Sequence, residues 1–263
     1  MLDRHRHGPW ALVAGASEGL GAAFADGAAR AGLDVILVAR SAERLREKAR
    51  AIEARRGVRT VALPMDLSRP DVAEALVDAV GDREVGTLIY NAAYAPIGPF
   101  LERPLGDALK AVDVNVRGSL ALAHAFGAPM ARRGRGALVL VSSMSAFHGT
   151  ALVSTYAGTK AFERVFAEGL WDELRLRGVD VLASCPGAVR TPRYEASTDK
   201  EVGPVMEAEA VVAETLAAVG EGPTLVPGRA SRAARILLGR LLPSRLAVRL
   251  MGRSTRTLYG DGD

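Results

Sequence analysis

The strand-like runs of this chain are chiefly apolar, 35–39 without any polar alternation, and helix-like segments alternate with them from one end to the other. Residues 12–14, 35–39, 60–63, 87–90, 137–141 and 179–184 read this way, and a short seventh run covers 224–226. A strand that is apolar on both sides needs cover on both sides. Alternating helices supply that cover, which predicts an α/β fold: a doubly wound, Rossmann-type parallel sheet of seven strands with right-handed crossovers. Helices are expected over 19–31, from the capping residue Ser41 onward, and over 68–80, 105–133 with a break near Asn115, 154–177 and 206–219. Binding sites in such sheets lie beyond the carboxyl ends of the strands, so loops 15–21, 39–41, 64–67, 91–98, 142–153 and 186–204 are the ones to read closely.

Composition closes off other classes. Nearly half of the 263 residues are hydrophobic, enough for a large core and against disorder. No apolar run approaches the roughly 18 residues of a membrane span, and residues 1–10 lack the apolar stretch of a secretory leader. A cytoplasmic protein is expected. The lone Cys185 sits in an apolar run and reads as a buried thiol. His5, His7 and His124 have no ligand-like company, so no metal site is expected. The net charge of +4 is unevenly spread: residues 229–256 hold eight arginines and no acid. No zinc-finger spacing, recognition-helix motif or aromatic–basic interleaving accompanies them, so nucleic acid is not an expected partner.

Directly after the first strand comes AGASEGLG. Gly15, Gly19 and Gly21 permit a tight turn and keep side chains away from a bound phosphate. The following helix would aim free N–H groups at a pyrophosphate, with Ser17, Glu18 and Leu20 in the same turn. The spacing is not the common G-x-G-x-x-G, and simple strand-to-helix packing is the competing explanation. After the second strand stands Arg40, where dinucleotide folds often place an acid on the adenosine ribose. Arg40 suits a 2′-phosphate, which predicts NADP(H) in preference to NAD(H). Glu18 argues the other way, since a carboxylate repels phosphate. Asp66, beside Leu67, can accept from an adenine amino group or, with Ser68, cap the next helix.

The segment VSSMSAFHGTALVSTYAGTKAF carries acid–base chemistry. Tyr156 and Lys160 are four apart on a helix and share a face. A free phenol, with pKa about 10, is a poor proton donor or acceptor at neutral pH. A neighbouring ammonium favours the phenolate, and Lys160 can provide it while reaching a nicotinamide ribose. Ser143 can hydrogen-bond a substrate oxygen, and Tyr156 can exchange a proton with that oxygen as hydride moves at carbon. A Tyr/Lys pair on a wet helix face is common by chance; the upstream serines and the glycine turn are what give this one meaning. His148 reads as pocket lining.

In this order the motifs resemble those of the short-chain dehydrogenase/reductase superfamily, over about residues 9–228. The resemblance implies a seven-stranded doubly wound sheet, a nicotinamide cofactor, and catalytic roles for Ser143, Tyr156 and Lys160, with Ser142 the non-catalytic neighbour. It aligns Asn115 of VNVRG with the family's asparagine, whose backbone holds a relay water. The family's Asn-Asn-Ala-Gly motif falls on Tyr90, Asn91, Ala92 and Ala93, and departs at two of the four positions. Its Pro-Gly and threonine fall on Pro186, Gly187 and Thr191, with the backbone of Val189 between them implied to meet the carboxamide. Homodimers or homotetramers are implied, paired through the helices around 105–133 and 154–177. SSMSAFHG and the extended tail resemble bacterial relatives of hydroxysteroid dehydrogenases and long-chain ketoacyl reductases.

The expected organisation is therefore a catalytic domain, 1–228, and a basic amphipathic helical extension, 229–263. The expected substrate is a bulky apolar ketone or alcohol, facing Tyr94, Pro96, Met144, Phe147, Leu152, Tyr194 and Met206. A 3-oxoacyl thioester is the alternative, and a cofactor-binding regulator without turnover is the reading from another class. In the tail, Ile236, Leu237, Leu238, Leu241 and Leu242 give one helix an apolar side, Pro243 stops it, and Ser244 can cap a second. Two packed helices, or an amphipathic lid touching anionic lipid, both fit that pattern.

Overall fold

A computed structural model describes residues 1–200 and 203–260. A single turn, α1 (Arg4–His7), precedes β1 (Trp10–Ala14), α2 (Gly19–Arg30), β2 (Asp34–Ala39), α3 (Ala42–Arg56) and β3 (Thr60–Pro64). There follow α4 (Val72–Val80), β4 (Val85–Tyr90), α5 (Leu105–Val112), α6 (Ser119–Arg133) and β5 (Gly136–Val141). Next come α7 (Ser154–Arg175), β6 (Val179–Ser184), β7 (Ala188–Arg190), α8 (Pro192–Ser197), β8 (Val205–Glu207), α9 (Ala208–Ala217) and β9 (Thr224–Leu225). The tail forms α10 (Arg229–Ile236) and α11 (Ser244–Tyr259).

Seven strands pair in parallel in the order β3-β2-β1-β4-β5-β6-β9. The order reverses between β1 and β4, which opens a crevice at their carboxyl ends. Alternate residues of each strand feed opposite cores. Leu12, Ile36, Leu88, Tyr90 and Leu138 pack with Leu76, Leu122, Phe126 and Ala167 on one face. Val13, Leu37, Ile89 and Val139 pack with Phe24, Leu45, Val212 and Leu216 on the other. Each fully buried aliphatic side chain contributes roughly 1.5–3 kcal/mol, so the strand cores hold the crevice rigid.

Four local expectations are corrected. The helix foreseen over 68–80 begins at Val72, because Pro70 disfavours helical backbone at the residue before it. Asp66 closes a turn instead of capping that helix: its Oδ1 accepts from the Ser68 N–H at 3.0 Å and the Ser68 hydroxyl at 2.8 Å. Residues 206–207, expected to begin a helix, belong instead to a strand, 205–207, paired with 188–190 in a separate two-stranded sheet. In the tail, Pro243 occupies the cap position of α11, which leaves Ser244 as its first helical residue with no capping bond. The side chain of Leu241 and residues 261–263 lie outside the described residues.

The break expected near Asn115 is a π-helical turn, Asp113–Gly118, between α5 and α6. The Ser119 hydroxyl donates to the Asn115 carbonyl at 2.7 Å. Tyr90 explains Gly118: a Cβ there would lie 2.4 Å from the Tyr90 hydroxyl, which itself donates to the Val114 carbonyl. Such turns inside helices often mark functional sites.

Candidate active site

The glycine turn forms a cradle between β1 and α2. Gly15 has φ +86°, and a Cβ on it would lie 2.7 Å from the Ala92 nitrogen. A Cβ on Gly21 would lie 1.9 Å from the Gly15 carbonyl oxygen, so α2 can begin this close to the strand only with glycine there. Asn91, at the end of β4, donates from Nδ2 to that same carbonyl at 3.3 Å and ties the two strand ends together. Thr191 stands against Gly19 and caps α8, its Oγ1 accepting from Tyr194 N–H at 3.2 Å. The loop running from Pro186 and Gly187 thus closes on the glycine turn. Val189 is part of the β7–β8 ladder. Leu20 is half-buried in the first turn of α2, and Leu67 is buried in the core, so a ligand meets Leu67 through its backbone. With the cradle free of side chains at a helix N-terminus, these residues fit a dinucleotide pyrophosphate.

Arg40 is exposed at the carboxyl end of β2. The Glu18 carboxylate, which counted against a phosphate here, is paired with Arg44 at 2.5 Å, and that pairing offsets its repulsion. Asp66 lies across the same opening. The Ser68 backbone N–H, then its hydroxyl and more weakly the nearby Arg40 charge, hold its carboxyl below the ordinary aspartate value against the effect of burial.

Tyr156, Lys160 and Asn115 come together around the first turns of α7, and Ser143 leads into the 3-10 turn that packs on that helix. Ser143 begins a 3-10 turn, Met144–Phe147, and its Oγ accepts from Ser145 N–H at 3.2 Å, which leaves the hydroxyl proton available. Ser142 is buried, and its hydroxyl donates to the Lys160 carbonyl at 2.6 Å, anchoring α7 to β5. The Asn115 amide donates to the Tyr94 carbonyl at 2.9 Å and the Thr159 hydroxyl at 2.8 Å, which fixes the π turn against α7 one residue before Lys160. The Lys160 ammonium lies 5.7 Å from the Tyr156 ring centre. It donates to the Val141 carbonyl and to Glu163 Oε2, each at 2.7 Å. Burial is the largest single influence and opposes the Lys160 charge, but Glu163, Tyr156 and Cys185 together hold the ammonium above the ordinary lysine value. Burial pushes the Glu163 carboxyl up to about 7 against the pull of Lys160. Burial likewise pushes the Cys185 thiol up to about 12, in keeping with an inert core cysteine.

At the start of α7, Pro96, Phe100, Leu101, Leu105 and Leu152, with Arg103, Ser154 and Thr155, line a cavity of about 230 Å³. Leu152 adopts φ +62°, and its carbonyl accepts from Gly98 N–H at 2.8 Å. A larger cavity, about 690 Å³ beside Trp10, Arg59 and Arg83, opens at the amino ends of the strands, on the far side of the sheet from this chemistry. Met144 and Phe147 pack on the core. Phe147 lies between the guanidiniums of Arg164 and Arg235, at 5.0 and 4.6 Å. Met206 sits against Gly228, where its sulfur would meet a Cβ at 2.5 Å. The tail packs back over this region: Thr255 and Thr150 share a hydrogen bond of 2.9 Å. Burial raises the Tyr259 hydroxyl pKa, and Tyr156, Ser197 and Tyr194 are among its neighbours. Sequence reading missed Glu163 and Tyr259; the spacing of Glu163, three after Lys160 and seven after Tyr156, was its one available signal.

A family model described as short chain dehydrogenase matches residues 9–202. The 7β-hydroxysteroid dehydrogenase of Clostridium sardiniense is 32% identical over 235 residues, covering 88% of this chain and 90% of that protein. The very-long-chain 3-oxoacyl-CoA reductase of Pyricularia oryzae is 35% identical over 182 residues, 67% of this chain and 55% of that protein, so the chain spans about half the length of that reductase. Among solved structures, a short-chain dehydrogenase from Sphingobium yanoikuyae in complex with NADPH is similar, with TM-score 0.78 and 32% identity over 84% of this chain and 88% of that one.

Proposed function

The chain belongs to the short-chain dehydrogenase family of nicotinamide-dependent oxidoreductases, and we propose that it interconverts a bulky apolar ketone and its secondary alcohol with NADP(H). The observation that best supports this reading is the Lys160 ammonium 5.7 Å from the Tyr156 ring, on a helix packed against the turn that Ser143 leads into. Arg40, with Glu18 drawn off by Arg44, supports NADP(H), as does the NADPH in the similar Sphingobium structure. The mostly apolar cavity beside Leu152 and the packed tail support a large apolar substrate, as does the likeness to a hydroxysteroid dehydrogenase.

When bound, the cofactor supplies or accepts the hydride. Gly15, Ser17, Gly19, Leu20 and Gly21 hold its pyrophosphate through backbone N–H groups. Arg40 takes the 2′-phosphate, Asp66 and the Leu67 backbone the adenine, and Asn91, Ala92, Pro186, Gly187, Val189 and Thr191 border the nicotinamide half. The Ser143 hydroxyl donates to the carbonyl oxygen. Tyr156 gives that oxygen a proton during reduction and takes it back during oxidation. Lys160 holds the ribose and sets its charge beside the Tyr156 ring, and the Asn115 carbonyl supports the water through which the proton is replaced.

A 3-oxoacyl thioester is the second reading, favoured by the similarity to the acyl-CoA reductase and by tail arginines such as Arg235 beside the 142–153 loop. Exposed Leu109 and Val112 on α5, Leu120 on α6 and Val165 on α7 support a homodimer or homotetramer through those helices. Among the described residues no helix is long and apolar enough to cross a membrane. Exposed Ile236, Leu237, Leu246 and Leu250 among the tail arginines support reversible contact with anionic lipid by an enzyme of the cytoplasm. Assaying hydroxysteroids, bulky ketones and 3-oxoacyl thioesters with both nucleotides tests the substrate. Turnover of a bulky ketone with NADPH is expected; oxidation or reduction of small acids alone would overturn the reading.

A further inference from the structure

Tyr156, Lys160 and Glu163 stand at i, i+4 and i+7, one stripe of α7 facing the ends of the central strands. Glu163 is 0% exposed and Lys160 2%. The carboxylate uses Oε2 on the lysine, while Oε1 is buried with no hydrogen-bond partner among the described residues. The ammonium is sealed between Glu163 and the Val141 carbonyl, so ribose hydroxyls can reach it only after the side chain turns out of this pocket.

Once the lysine turns away, no uncommitted cation or donor among the described residues named below replaces it. From β4, the Tyr90 hydroxyl is committed to the Val114 carbonyl. From β5, Ser142 is committed to the Lys160 carbonyl. Beyond β6, Cys185 is a neutral thiol. From the π turn, the Asn115 amide serves Tyr94 and Thr159. On α7 itself the titratable neighbours are Lys160, Tyr156 one turn further, and Arg164, which is committed to Glu168 at 2.7 Å. A buried carboxylate left without a cation or a hydrogen bond neutralises.

We infer that nucleotide binding and proton uptake are one event in this chain: Lys160 leaves Glu163 for the cofactor ribose, and Glu163 takes a proton from solvent in its place. The inference rests on the reading that Lys160 contacts the cofactor. The balance is one proton, from solvent to a Glu163 oxygen; the ammonium keeps its own. Glu163 is poised for this exchange, since burial already brings its carboxyl to about 7 beside the lysine, and departure of that cation moves it higher. The sign follows. Below about 7 the carboxyl is already protonated and binding takes up little. Above it, binding must draw a proton from solvent, and affinity falls by up to about tenfold per pH unit until the bound-state value is reached.

Calorimetric titration of NADPH, and separately of NADH, into the whole protein in buffers of different ionisation enthalpy counts the protons. Uptake of about half a proton is expected near pH 7, approaching about one at pH of about 8.5. Glu163→Gln keeps the shape but cannot ionise, so it should lose that uptake and the alkaline fall in affinity. Titration of the 2′-phosphate is common to both proteins and cancels in the difference. Equal proton counts in the parent and the variant, or no uptake by the parent at alkaline pH, overturn the inference. If Glu163→Gln fails to fold, the parent count decides alone. Binding without uptake removes this inference and leaves the cofactor reading intact, whereas binding of neither nucleotide removes both.

Discussion

Arg40→Ala should convert a discriminating enzyme into an indifferent one. Arg40 is exposed at the carboxyl end of β2, and Glu18, the nearby acid that would oppose a 2′-phosphate, is held by Arg44 at 2.5 Å. A charge-assisted hydrogen bond to phosphate is worth roughly 1.5–3 kcal/mol, and solvent exposure argues for the lower end. At about 1.4 kcal/mol per factor of ten, kcat/KM with NADPH should fall by about tenfold or somewhat more. NADH lacks the phosphate, so its kcat/KM should move by less than about threefold. The assay is initial-rate kinetics with both nucleotides on one verified ketone, at low and high salt. Screening should lower the parent's NADPH advantage as salt rises and leave Arg40→Ala nearly flat. A parent that prefers NADH, or a variant that loses the same factor with both nucleotides, would refute the assignment of Arg40.

Two further outcomes are expected. Light scattering at micromolar concentration should give a mass of two or four chains, and Val165→Asp, which puts a charge on the exposed apolar side of α7, should lower it; a parent mass of one chain contradicts the oligomer. The full chain should float with anionic vesicles at low salt and not with neutral ones, and truncation after Gly228 should abolish this; an active protein that does not float leaves the tail as packing alone.

The sheet was legible because its strands are apolar on both faces, a pattern that requires two helical layers. The glycine turn was legible because strand, glycines and helix stood in order. Local details were not. Residues 188–190 and 205–207 are too short to show a period, so their pairing came only with the structure. The start of α4 moved because Pro70 outweighed the apolar pattern around it. Within the site, Ser143, Tyr156 and Lys160 were found from spacing on one helix and its neighbouring strand. Glu163 escaped because an acid on a helix ordinarily faces water, and its burial follows from how tightly α7 meets β5 and β6. Tyr259 escaped because its proximity to Tyr156 depends on the path of the whole tail.

The account stands most directly on Tyr156. Replacing it by phenylalanine removes one hydroxyl from a half-buried ring and little packing. Nicotinamide fluorescence should show NADPH bound as in the parent, while kcat on a verified ketone falls by about a hundred- to ten-thousand-fold. Near-parental kcat in a folded, cofactor-bound Tyr156→Phe enzyme would contradict the proposed proton transfer.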